Sequence, residues 1–307
     1  MRAFYRRLTI SSLFFLNLLQ IVLFVPKCRP ALAPNAALIV AICLMEALYL
    51  LATWWARRRD GSPTAAFDII LLVWVFLTAW ELATSVFHIA HPVLFPAPEN
   101  VFNTFREHWN TLLLNVWYSL RLLAVGFTTG LVLAVILGLF AGWFERLRAF
   151  ACPIANVMAP IPAIVISPYL VSLMPSFRSA SILVIVLGVF WPTFLNTINR
   201  VTSIEPQILD SARMLKPSNT TMIWRILLPC LFPGVIAGLK VNLTTSLLML
   251  NFAELMGATH GMGYYVQNSI AYANYAHAVA GIIVIGVVVT ILNALVGWLQ
   301  KKLIRWR

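Results

Sequence analysis

Charge is scarce in this chain. Only 10% of its 307 residues are charged, against about 25% in a soluble domain, so an ordinary water-exposed surface cannot be built from this composition. Cysteine is sparse and ungrouped. Cys28, Cys43, Cys152 and Cys230 form no CxxC pair and have no histidine at zinc spacing, so they read as free thiols and not as a metal knuckle. The five histidines are scattered without an HExxH, and no metal is expected. A GxxxxGK[ST] phosphate loop is missing, which excludes a self-powered ATPase of that type. GxSxG and paired-aspartate motifs are missing too, so no catalytic residue is assigned and the chain is not expected to be an enzyme. There is no visible internal repeat and no low-complexity tract. Few acids lie within the apolar runs. Both facts weigh against an ion-coupled secondary transporter, which works through buried acids and paired repeats; it stays as the alternative reading.

Apolar residues dominate instead, at 61% of the chain with a mean hydropathy of +0.87, so lipid must be the main solvent. A spanning helix needs about 20 mostly apolar residues. Runs of that kind lie at 8–25, 35–56, 67–90, 112–142, 153–174, 179–199, 224–250 and 278–300. They predict an all-α, polytopic membrane protein with about eight transmembrane helices. The runs are continuous, without the period-two alternation of barrel strands. A signal peptide competes for the first run, because Ala31-Leu32-Ala33 looks like a cleavage site. Pro34 follows directly and the run is long, so an uncleaved helix is preferred. The polar stretch 101–111 is expected at the interface.

Net charge is +12. In a soluble protein this would suggest nucleic acid, but here it has another use, because Lys and Arg collect on the cytoplasmic flanks of spans. Of the 22 basic residues, Arg2, Arg6, Arg7, Arg57, Arg58, Arg59, Arg146, Arg148, Arg200, Arg213, Lys216, Arg225, Lys301, Lys302, Arg305 and Arg307 fall on one side. Lys27, Arg29, Arg106 and Arg178 fall on the other, and Arg121 and Lys240 lie inside spans. That asymmetry predicts both termini in the cytoplasm and an even number of spans.

The longest cytoplasmic loop, 200–223, has the most character. Ile208, Leu209, Ala212 and Leu215 make one apolar stripe at helical spacing, with Asp210, Arg213 and Lys216 on another face. Pro217 disfavours helix at Lys216, and Ser218 or Asn219 can cap a second helix entering the membrane. The predicted shape is a helix–elbow–helix outside the bilayer, suited to a groove on a cytoplasmic partner. An ordinary interfacial connector is the competing reading.

This loop resembles the coupling loop of bacterial binding-protein-dependent ABC transporter permeases. Their pattern is Glu-Ala-Ala, three residues, Gly, nine residues, Ile, one residue, Leu-Pro. Here Asp210-Ser211-Ala212 takes the first three positions, and Ile226, Leu228 and Pro229 follow at the expected spacing. Asp210 replaces Glu, and Lys216 stands where the pattern has Gly. The stretches WEL at 80–82, LFPAPENVFNTF at 94–105, SLRLLAVGF at 119–127, PCLFPGVIAGLK at 229–240 and AELMGATHGMG at 253–263 are similar to the branch serving nitrate, bicarbonate, sulfonate, taurine and cofactor-precursor importers. SLMPSFRSAS after Pro168 departs from that branch's Gly-rich, acidic stretch.

The resemblance implies a six-helix permease core over 67–307, with 1–66 as two additional N-terminal helices. It implies cytoplasmic ATPase subunits that carry the ATP–Mg, an external solute-binding protein, a second permease chain (identical or not) and a bacterial inner membrane as the setting. No cofactor is expected in this chain and no nucleic acid partner. It makes Leu209, Asp210, Ser211, Ala212, Arg213, Leu215, Lys216 and Pro217 the ATPase-coupling residues. Arg121, Lys240 and Glu254 become candidates for the translocation path or outer gate. Snorkelling or internal ion pairing competes for Arg121 and Lys240, and helix capping competes for Glu254.

Overall fold

The computed structural model describes residues 2–25, 34–58, 64–87, 89, 91 and 93–303. Ala31-Leu32-Ala33, Lys27, Arg29, Arg59, Arg305 and Arg307 lie outside them. Among the described residues the regular structure is all helix. The chain divides into two compact units, Met1–Leu112 with Asn268–Ile282 and Leu113–Gln267 with Ile283–Arg307.

The first unit starts with α1 (Arg2–Phe24), α2 (Ala36–Arg58) and α3 (Thr64–Glu81). The helix continues as a π turn over Leu82–Val86, and α4 (Pro98–Glu107) follows. Leu18 and Val22 of α1, Leu38 and Ile42 of α2, and Trp74 and Leu77 of α3 make one buried cluster, with Phe102 of α4 against it. A few polar contacts sit among these apolar surfaces. Ser12 donates to the Glu46 carboxylate at 3.2 Å, and Ser85 donates to Glu99 at 3.3 Å. Pro98 opens α4 at a position whose N–H has no helical partner in any case. The segment expected at the interface, 101–111, becomes the end of α4 and the start of the next helix, with a break at His108.

The second unit holds most of α5 (Trp109–Trp143), then α6 (Glu145–Met158), α7 (Ala163–Leu173) and α8 (Phe177–Thr202). After these come α9 (Pro206–Met214), a single turn α10 (Asn219–Thr221), a π segment Met222–Leu227, α11 (Leu228–Leu255), α12 (Met262–Ala271) and α13 (Tyr275–Leu303), of which the end of α12 and the start of α13 belong to the first unit. Helix α5 carries glycines at 126, 130, 138 and 142, one helical face facing α8. A Cβ at Gly126 would lie 2.8 Å from the Ile185 side chain, at Gly138 2.7 Å from Thr197 and at Gly142 2.6 Å from Val201. The two backbones are therefore nearly in contact, as small residues allow between membrane helices. Side-chain hydrogen bonds tie the other helices together: Asn242 donates to Thr193 at 3.0 Å, Thr244 to Asn293 at 3.2 Å and Gln300 to the Ile236 carbonyl at 2.7 Å.

Six helices among the described residues are long and apolar enough to span, and Ile10–Phe24 is a shorter apolar helix. The expected span 153–174 takes a different form. It is the pair α6 and α7, bent by 93° where Pro160 and Pro162 each remove a backbone donor and clash with the preceding turn. Between the expected spans 224–250 and 278–300, α11 runs on to Leu255 and α12 fills much of the rest.

Candidate functional site

The segment 205–222 folds as the stripe and the prolines predict, with one change. Pro206 starts α9, and the helix closes with Leu215 N–H on Ala212 O at 3.2 Å and Lys216 N–H on Arg213 O at 2.8 Å. The elbow then falls on Lys216 itself, at φ +46°. This is the position where the family pattern has glycine. A residue with a Cβ pays roughly 1–2 kcal/mol to sit there. Pro217 accounts for the end of the helix, and the left-handed turn at Lys216 is the change. Ser218 caps the next helix, accepting from the Thr221 N–H at 3.3 Å, while Asn219 accepts from the Trp143 indole at 3.4 Å.

The apolar stripe of α9 divides into two faces. Leu209 and Ala212 turn inward, onto the buried cluster of Leu139, Val201, Met222, Ile223, Leu227 and Leu231. Ile208, Met214 and Leu215 turn outward, the last two 85% and 83% exposed. Met214 was not singled out by the sequence, because it lies off the stripe. Ser211 donates back to the Gln207 carbonyl at 2.7 Å, and Arg213 pairs with Asp210 at 3.2 Å on the surface. An isolated exposed pair of this kind is worth about 1 kcal/mol or less. The free face of α9 thus offers two bare apolar side chains flanked by a self-satisfied ion pair.

Glu254 lies elsewhere, buried in the last turn of α11. Its carboxylate accepts from the Ser119 hydroxyl at 2.5 Å and from the Gly263 N–H at 2.7 Å. Ser119 in turn accepts from the Met262 N–H at 2.8 Å, and Asn115 accepts from the Gly261 N–H at 2.8 Å. These amides open α12 and have no helical acceptor of their own, so three side chains from α5 and α11 supply them. Gly261 (φ +133°) cannot be replaced without strain, because a Cβ there would run into the Glu254 carboxyl group. Glu254 therefore occupies a capping position. Asn115 and Ser119 complete the clasp, although the sequence gives no sign of either beyond their i, i+4 spacing.

Arg121 and Lys240 are both exposed, and neither is among the hydrogen-bond partners of Glu254. Arg121 lies over the Trp117 ring at 4.7 Å, a cation–π arrangement. Beside it the Tyr118 and His260 rings stack at 4.7 Å. Among the described residues no group of three or more His, Cys, Asp or Glu is placed to hold a metal.

Helices long and apolar enough to span, joined through the elbow at Lys216, fit one class, the permease subunit of an ABC transporter. Residues 130–306 match the family model for the binding-protein-dependent transport system inner membrane component, and the chain belongs to that family. It is 28% identical over 253 residues to the putative aliphatic sulfonates transport permease protein SsuC of Bacillus subtilis (strain 168), covering 82% of this chain and 90% of that one. It is 27% identical over 272 residues to the nitrate import permease protein NrtB of Leptolyngbya laminosa, covering 83% and 92%. The fold is similar to a chain of the inward-facing MetNI methionine ABC transporter, with a TM-score of 0.53 at 18% identity, covering 65% of this chain and 97% of that one.

Proposed function

We propose that this permease subunit imports a small anionic solute, of the nitrate, sulfonate, taurine, bicarbonate or cofactor-precursor class. It does so with separate cytoplasmic ATPase subunits, an external solute-binding protein and a second permease chain, in a bacterial inner membrane with both termini inside. The relatives' names support the solute class. The observation that carries the assembly is the outward face of α9. Met214 and Leu215 are bare apolar side chains on a short helix that is anchored to the membrane helices through Leu209 and Ala212. Such a face is suited to a hydrophobic groove. Anchored on one side and seated in a partner on the other, α9 transmits movement in either direction.

ATP–Mg then belongs to the partner, and this chain contributes no bond chemistry. Closure of two ATPase subunits moves two copies of the elbow together and shifts the paired permeases between inward- and outward-open states. The bound nucleotide biases an equilibrium through its different affinity for the two. Residues 67–307 form the core of this machine, and 1–66 add two helices to it. The test is uptake of labelled methanesulfonate, nitrate and bicarbonate by vesicles holding the complete assembly. Uptake should need ATP inside the ATPase compartment and ignore ionophores. Uptake that survives ATPase inactivation but collapses with the ion gradient would make this a secondary transporter instead.

A further inference from the structure

Near the outer turn, α5, the start of α8 and the loop before α12 line an open pocket of about 190 Å³, formed by Tyr118, Arg121, Leu122, Phe177, Arg178, Thr259 and His260. Its polar lining is of one kind. Two guanidiniums, two hydroxyls and an imidazole meet there, and no carboxylate is among the lining residues. Among the described residues neither arginine has an ion-pair partner. Of the acids between 113 and 267, Glu145, Glu205 and Asp210 flank the helix ends away from Arg121: Glu145 follows Trp143, some 22 residues or about 33 Å along α5. The two oxygens of Glu254, the fourth of these acids, are taken by Ser119 and Gly263.

Charge placement in the bilayer fits this. Helix α5 has 35 residues, about 52 Å, against a hydrocarbon core of about 30 Å. With Glu145, Arg146 and Arg148 marking one boundary, the other falls close to Arg121, so both arginines sit at the membrane edge, where a charge is tolerated. Arg121 is further held over Trp117, which fixes the direction of its fork.

We infer that this cavity is a binding site for a small oxyanion, a sulfonate, nitrate or carboxylate group, held between Arg121 and Arg178 with Tyr118, Thr259 and His260 as further donors. Guanidinium groups match such anions two bonds at a time. At about 190 Å³ the pocket is smaller than the roughly 300–1,000 Å³ that takes drug-sized ligands, a size that suits an ion of a few heavy atoms. The inference rests on the anion-importer reading and gives it an entry point: the released solute meets this site before the path beyond.

The test uses the full chain in lipid nanodiscs and isothermal titration with sodium methanesulfonate, sodium nitrate and sodium bicarbonate at constant ionic strength, with choline chloride as the cation control. At least one of the three anions should bind saturably, and choline should not. Arg121→Gln and Arg178→Gln should each weaken binding by roughly tenfold or more, the loss of a charge-assisted contact. Arg121→Lys should weaken it less, and Arg148→Gln, beyond the other end of α5, should leave it unchanged. Unaltered binding in both glutamine variants, or no saturable binding of any of the three, overturns the site. Uptake separates this from the function. If both glutamine variants keep the wild-type KM for ATP-driven uptake, the site fails and the importer reading stands. If binding depends on the arginines but uptake is independent of ATP, the site stands and the importer reading fails.

Discussion

Lys216 carries the left-handed turn that ends α9, and the residue type works against it. Replacing it with glycine removes the Cβ clash, offset in part by the greater freedom glycine has when unfolded. Lys216→Gly should therefore raise thermal stability slightly, by about 1 kcal/mol at most, and leave binding-protein-stimulated ATPase activity intact. Lys216→Val should lower both, because a β-branched side chain is a genuine outlier at positive φ. Pro217→Ala should be mild. A silent Lys216→Val beside a severe Pro217→Ala would move the elbow to the proline. The sequence could not place this turn. Lysine at positive φ is uncommon, and Pro217 offered a local reason to end the helix that was sufficient without it. Asn115 and Ser119 escaped notice for a different reason. Their partners are backbone amides 146 and 143 residues away, and no local pattern reports a contact of that range.

Helix α9 separates two roles that its sequence stripe merged. Leu209 and Ala212 hold the helix to its own chain, while Met214 and Leu215 face outward. Leu215→Glu should leave folding and membrane insertion as they are and abolish stimulation of the ATPase, since seating a charge in an apolar groove costs several kcal/mol. Leu209→Glu should instead lower the yield and melting temperature of the chain itself, because the charge would enter the cluster around Val201 and Met222. Arg213→Ala should change little. Wild-type stimulation in the Leu215→Glu protein would remove α9 from the mechanism. Other elements were legible because apolar length dominates them: each of the eight runs coincides with a helix or helix pair. The bend between α6 and α7 and the presence of α12 were not, since a hydropathy run carries no direction and a Gly-rich turn reads as loop on either side of a short helix.

Across the whole molecule, the asymmetry of Lys and Arg predicts α9 on the cytoplasmic side and the turn before α12 outside. In a cysteine-free background, a thiol at position 211 should react with an impermeant maleimide only after the membrane is opened, and one at position 259 should react in intact cells. The reverse pattern inverts the protein. The glycine face of α5 against α8 sets how such a molecule can move. Gly126, Gly130, Gly138 and Gly142 place the two backbones so close that neither helix can slide or roll without driving a side chain into main chain. The pair is a single stiff lever. A pull delivered at the end of α8 through α9, the coupling role proposed for it, would be carried along this seam toward the far end of α5, the end that carries Asn115, Ser119 and Arg121.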